Sequence, residues 1–226
     1  EARQEYSWDG CFGGKGDSIT ITNCLADGAA ANLWAAIYLE TFIFGQLDTI
    51  NLINTIVLCS STTWYAILQK DTLGSSTAYI YNCTVVGGDY CFYVEGATAT
   101  MNCKNCYGAN ADTFAFYNDF TATINLTTCA SDDGSEGSDT VAYSTNSGAY
   151  FTNVTAGSED VTLKADSDLI GEGTDLSDDS DYAVDTDIKG YTRDDPPDIG
   201  AHEYEDSSAT LTINVHDCQS VSGGLV

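Results

Sequence analysis

Four carboxylates in the middle of the chain, Asp89, Glu95, Asp112 and Asp119, are of the residue type that glycoside hydrolysis uses. That reaction needs two carboxyl groups at a suitable separation, one to protonate the leaving oxygen and one to attack or to activate water. A lyase acting on a uronate needs a base for proton removal and cations to neutralise the sugar carboxylate. The seven basic residues, Arg3, Lys15, Lys70, Lys104, Lys164, Lys189 and Arg193, are scattered. The two histidines, His202 and His216, stand near the C-terminus, with no recognisable Ser or Cys nucleophile motif. Trp34, Tyr38, Phe42, Trp64 and Tyr65 form a second candidate group, with Trp34, Trp64 and Tyr65 foremost, as a surface on which sugar rings could stack; core filling and end capping are the alternative. Asp185-Thr-Asp187-Ile-Lys189-Gly190 begins like a calcium loop, but Lys189 replaces an oxygen ligand and Pro196 stands where the bidentate Glu belongs, which excludes an EF-hand. An irregular cation site on Asp185, Asp187 and Asp198 stays open, with Ca2+ as its natural occupant.

The elements that must position these residues come from a repeat. The segments 78–83, 101–106, 124–129 and 149–154 align, and their last residues, Cys83, Cys106, Cys129 and Val154, advance by 23, 23 and 25 positions. A second series places Cys91, Ala115 and Ala142 at steps of 24 and 27, and Ala66 lies 25 before Cys91. Leu58-Cys59, 24 before Cys83, extends the first series backwards and aligns Ile56 with Ile80. Each unit reads as two short alternating strands between Gly, Ser, Asn and Asp, so each repeat is one coil. One coil cannot bury its apolar side alone, and stacking coils at about 4.8 Å makes a continuous core. The expected fold is all-β, a parallel β-helix.

Columns follow from the stacking. Ile21, Ile56, Ile80, Cys103, Leu126 and Phe151 are expected to point inward. Cys59, Cys83, Cys106 and Cys129 form a cysteine column headed by Cys24, expected to be buried and reduced, since cysteine packs as a small hydrophobe. Cys103-Lys-Asn-Cys106 spells C-x-x-C but lacks the second pair or the histidine that zinc needs. Asn23, Asn82, Asn105 and Asn153, with Thr128 in the same slot, predict a stacked Asn corner, because Asn tolerates left-handed backbone. The step from Cys24 to Cys59 is 35 residues, so a loop is expected to bulge there.

The 226 residues carry a net charge of −27. A field of that sign repels nucleic acid and anionic membranes and weakens binding of acidic polysaccharides. No apolar run is long enough to span a bilayer, so membrane insertion is not expected. Glu1 reads as a processed or truncated start. The expected organisation is a loop or cap over 1–18, coils over 19–165, an acidic cap over 166–205 and a trailing strand within 206–226. That strand, over 209–215, is expected to start a further domain or pair in an assembly contact.

The acidic segment carries a resemblance. Leu169-Ile-Gly-Glu-Gly-Thr-Asp175-Leu, Asp187-Ile-Lys-Gly190 with Arg193, and Asp198-Ile-Gly-Ala-His-Glu-Tyr204 are similar to the closing signature of a right-handed β-helix family in the pectin-lyase-like group. The resemblance covers 167–204 closely and the earlier coils in style. It implies a right-handed solenoid that this segment ends, and a setting on a bacterial surface or tailed-phage virion. It brings no catalytic residues. Arg193, paired with Asp187 or Asp198, is expected to fix the cap. The functional expectation is a non-catalytic rod of the virion surface, or else a secreted or cell-surface protein, used for decoration, fibre building or adhesion. It would associate with itself and with other surface proteins, and glycan is the expected soluble partner. A polysaccharide lyase or glycoside hydrolase of pectin-lyase-like fold is the alternative.

Overall fold

Asn23, Asn54, Asn82 and Asn105 hold φ at 52°, 48°, 52° and 52°, and Thr128 holds 47°. One left-handed residue between two extended segments turns the chain through a corner without a loop, and Asn tolerates that backbone better than most residues. Five such corners stack in the computed structural model, which describes residues 12–14, 18–28, 34–41, 47–71, 75–119, 121–135, 147–155 and 157–205.

Three five-stranded sheets run around the solenoid. Sheet A holds β1 (Phe12–Gly14), β4 (Ala35–Thr41), β7 (Tyr65–Asp71), β10 (Tyr90–Glu95) and β13 (Phe114–Asn118). Sheet B holds β2 (Ser18–Thr22), β5 (Leu47–Ile53), β8 (Ser75–Tyr81), β11 (Thr100–Lys104) and β14 (Thr123–Thr127). Sheet C holds β3 (Leu25–Gly28), β6 (Ile56–Cys59), β9 (Thr84–Val86), β12 (Tyr107–Ala109) and β15 (Ala130–Ser131). Pairing within all three sheets is parallel. The protein is a β-solenoid, as the repeat predicts. Each coil has three strands instead of the expected two, because sheet C strands start directly after the Asn corner and are as short as Ala130–Ser131.

Register defines the core. Ile21, Leu52, Ile80, Cys103 and Leu126 occupy one inward column, and Ile19, Ile50, Ala78, Met101 and Ile124 a second. From sheet A, Phe92 and Phe116 stack inside at 4.6 Å and 7°. Two expected members of the inward column lie elsewhere. Ile56 pairs with Thr84 and Leu25 in sheet C, so Leu52 is the true partner of Ile80. Phe151 belongs to an antiparallel pair, β16 (Phe151–Asn153) with β17 (Asp160–Leu163), where it meets Tyr107 outside the coil interior. The 35-residue step also resolves differently. The corner advances by 31 residues from Asn23 to Asn54, by 28 from Asn54 to Asn82, then by 23 twice. The extra length is therefore shared between the first two coils.

From β6 onward sheet C is buried on both faces, while Leu25 and Asp27 of β3 are exposed. Outward-facing Ile56, Leu58, Val86 and Tyr107 pack against Tyr150, Phe151, Val161, Leu163, Leu169, Ile199 and Ala201, and Ile53 and Tyr81 pack against Leu176 and Val184. The acidic segment thus lies along the flank of the coils as a strap, where the expectation was a cap that ends the solenoid. Each fully buried large side chain in this layer is worth about 1.5–3 kcal/mol. The segment 209–215, Ala142 and His216 lie outside the described residues.

Candidate functional site

Sheet A carries aromatic residues outward in two adjoining columns. Ala35, Tyr65, Tyr90 and Phe114 are in register, and so are Tyr38, Leu68, Tyr93 and Tyr117. Parallel in-register pairing sets equivalent rings on successive coils roughly one strand spacing, about 4.8 Å, apart, which suits offset stacking. Tyr65 and Tyr90 stack at 5.7 Å and 19°, Tyr93 and Tyr117 at 5.6 Å and 22°, and Phe114 and Tyr117 at 5.5 Å and 8°. Trp34 meets Tyr38 and Tyr65 edge-on at 5.1 and 5.5 Å, and Trp64 lies 6.5 Å from Tyr65. The structure therefore brings Trp34, Trp64 and Tyr65 together. Tyr38 joins them as expected, Phe42 lies outside the described residues, and the structure adds Tyr90, Tyr93, Phe114 and Tyr117; the signal for two of these was that Tyr65, Tyr90 and Phe114 each precede a member of the Ala66, Cys91 and Ala115 series. Trp64 is 58% exposed and Phe114 43%.

The four carboxylates do not form one cluster. Asp89 and Asp112 lie in successive turns just before β10 and β13, where their amides bond to Thr63 O (2.8 Å) and Gly88 O (2.9 Å). Partial burial, then the neighbouring Asp112, pushes the Asp89 carboxyl above the usual range. Glu95 and Asp119 stand at the opposite ends of these strands. Glu95 pairs with Lys70 at 3.0 Å, and Asp119 accepts the Tyr93 hydroxyl at 3.1 Å. Burial, then the hydrogen bond to Asp119, raises the Tyr93 hydroxyl far above its ordinary pKa, so it stays a donor.

A second assembly joins the strap to the Asn corner. Asn105 Nδ2 donates to Asn82 Oδ1 (3.0 Å) and to Thr174 O (2.8 Å), while its Oδ1 accepts Thr174 N (2.8 Å) and Thr128 Oγ1 (2.6 Å). Asn54 Nδ2 donates to Asn23 Oδ1 (3.2 Å) and Thr186 O (2.7 Å). Between Asn54 and Asn82 the ladder is interrupted, because Arg193 Nη2 takes Asn54 Oδ1 at 3.3 Å. Asn82 Nδ2 is left buried without a partner, beside a cavity of about 180 Å³ between corner and strap. Gly200 holds φ at +107°, and its amide meets Asn105 O at 2.9 Å. A Cβ there would lie 2.6 Å from Thr84 Oγ1, so the strap can approach this closely only with glycine.

Arg193 fixes the strap, but its ion-pair partner is Glu203 (3.0 Å), not Asp187 or Asp198. Its remaining donors go to Thr186 O, Asp198 O, Gly200 O and Ala201 O, a fan of acceptors that only a guanidinium reaches at once. The cation-site candidates are placed as follows. Buried Asp187 accepts the amides of Lys189 (2.8 Å), Tyr191 (2.9 Å) and Glu203 (3.1 Å). Asp198 accepts those of Gly171 (2.7 Å) and Tyr204 (2.6 Å), and Asp185 is exposed. Among the described residues no three His, Cys, Asp or Glu side chains are placed to hold a metal.

The thiols form a column with one substitution. Cys24, Cys83, Cys106 and Cys129 each follow the left-handed corner residue and donate to the carbonyl two residues earlier, at 3.1, 3.3, 3.4 and 3.5 Å. Thr55 does the same at 3.0 Å and fills the slot expected of Cys59, which pairs with Gly28 instead. Burial pushes the thiols of Cys91, Cys103 and Cys106 up. Asn153 is not part of the Asn ladder. It closes a local turn, donating to Ser158 O (2.6 Å) and accepting from Thr155 N (3.0 Å).

No family model, curated protein or solved structure matches this chain. What the sheet A face can do follows from its chemistry. Aromatic rings supply stacking area at low entropic cost, and the carboxylates at both ends of the strands accept hydrogen bonds from hydroxyl or ammonium groups.

Proposed function

We propose that the chain is a non-catalytic rod of a virion or cell surface that holds glycan on the aromatic face of sheet A. The carrying observation is the run of rings from Trp34 and Tyr38 through Tyr65, Tyr90 and Tyr93 to Phe114 and Tyr117, with Trp64 exposed beside it. Buried rings fill cores; a partly exposed stack on the outside of a rigid sheet is a recognition surface. The similarity of 167–204 to the pectin-lyase-like closing signature supports the surface setting and membership of that group. Self-association and contacts with other surface proteins belong to the same reading. Retention of purified protein on immobilised glycans tests it: Trp64→Ala and Phe114→Ala, at the two exposed rings, should lose retention while staying folded at the same temperature. Retention unchanged in both variants would remove the aromatic face from the reading.

A second reading is favoured by one observation, the placement of Asp89 and Asp112 in successive turns at one end of the strands, since a glycosidase works with a pair of carboxyl groups. It requires new reducing ends from a neutral glycan, lost in Asp89→Asn. Absence of release over a panel of neutral and acidic glycans would leave binding alone.

A further inference from the structure

Among the described residues, acidic side chains border the aromatic face at both ends of its strands. Asp89 and Asp112 border one end of the strands, Asp119 and Glu95 the other. Lys70 is the one basic residue on a described strand of sheet A, and it is engaged by Glu95 at 3.0 Å. Ring faces are themselves negative at their centres, so cations are drawn to them, most strongly to Trp. Partial burial, then the neighbouring Asp112, raises the cost of ionising Asp89, and a ligand cation would relieve the repulsion. Neutral sugar could stack on the rings but would leave these carboxylates unpaired. A uronate would be repelled by them and by the net charge of −27.

Resting on the glycan reading above, we propose that the sheet A face selects a cationic glycan, a polymer of amino sugars with free protonated amines. The sugar faces stack on the exposed rings of Trp64 and Phe114, and the ammonium groups meet Asp89 and Asp112 at the same end of the strands. Charge complementarity sets the choice of occupant, and the aromatic columns set its direction, along the coil axis.

The test is titration calorimetry of the whole chain, at mildly acidic pH, with β-1,4-linked glucosamine oligomers, their fully N-acetylated forms and glucose oligomers of equal length. The expected order places the free-amine oligomers first, with affinity falling as salt rises. Asp89→Asn/Asp112→Asn should weaken them by roughly fivefold. Asp168→Asn/Asp178→Asn, which removes the same charge from exposed strap positions, should leave them unchanged. Trp64→Ala, at an exposed position, should cost roughly two- to fivefold and decides the matter if the double variant on the face fails to fold. Equal binding of free-amine and N-acetylated oligomers would overturn the cationic preference while leaving glycan binding intact. Equal losses in the two double variants would reduce the effect to diffuse attraction and overturn the site. Binding to none of the three oligomer classes would overturn both readings.

Discussion

Replacing Asn105 with alanine removes the centre of the strap seam. The side chain is fully buried, holds φ at 52° and takes part in four hydrogen bonds, to Asn82, to Thr128 and twice to Thr174. Thr174 is exposed, so water recovers part of its two bonds. Asn82 is fully buried, and its Oδ1 would lose its donor, a loss of about 1–3 kcal/mol. Alanine in the left-handed region adds about 1–2 kcal/mol. The expected loss is about 3–4 kcal/mol, read from urea unfolding followed by tyrosine fluorescence. Asn105→Gly should recover about 1 kcal/mol of it, because glycine carries no left-handed penalty. Asn153→Ala, outside the ladder, should lose less than about 1 kcal/mol. In the opposite direction, Thr128→Asn should gain about 1 kcal/mol, since a β-branched residue at φ 47° is strained and Asn can renew the bond to Asn105. If Asn105→Ala and Asn153→Ala lose equal stability, the corner is not what holds the strap.

Three further outcomes are expected. Arg193→Ala leaves Glu203 buried without its partner, so about 3–5 kcal/mol should be lost and proteolytic cuts, mapped by mass spectrometry, should appear within 166–205. Burial, then Lys189, holds the His202 imidazole down at about 4, below the 6.5 of the free side chain. Between those values the unfolded chain binds a proton that the folded chain does not, so the stability contributed by neutral His202 is complete above about 6.5 and is lost as pH falls toward 4. Asp198 and Glu203, raised by burial, act with the opposite sign as they protonate. The readout is therefore the difference between the unfolding pH profiles of wild type and His202→Gln, in which the variant should lose less on acidification. Finally, Cys59, Cys83, Cys91, Cys103, Cys106 and Cys129 are buried thiols, and intact mass should show them resisting alkylation until denaturant is added. Modification of all six without denaturant would contradict their burial.

The corner and the core were legible where a single residue type answers a single backbone demand. Asn82 and Asn105 stand out because the left-handed turn needs them and the coils between them share one length of 23 residues. Asn54 was hidden. Its neighbour is Thr55, whose hydroxyl serves as well as a thiol, so tracking cysteine led to Cys59 and shifted Ile56 out of register. Sheet C was invisible as an element because its strands have no turn before them; a continuous apolar run, Ile56-Val57-Leu58-Cys59, buried at every position, was its trace. The path of the strap could not be read from local pattern at all. It depends on Thr174, Thr186 and Gly200 finding partners 69 to 132 residues away or on the next coils' backbone. The aromatic face was half legible, since Trp34, Trp64 and Tyr65 drew attention while Tyr90, Tyr93 and Tyr117 read as ordinary strand residues.

A solenoid whose coils touch only their neighbours unfolds like a zipper, each end peeling at its own cost. Here the strap bonds to Asn54 in the second coil, to Thr84 in the third, to Asn105 in the fourth and to Thr128 in the fifth. A fray at either end must therefore detach the strap before the next coil can leave. Local openings become coupled, and the chain should melt in one step. The strap follows the coils in the sequence, so during synthesis the stacked rungs emerge first as a loosely cooperative array, and docking of 166–205 converts that array into a single mechanical unit.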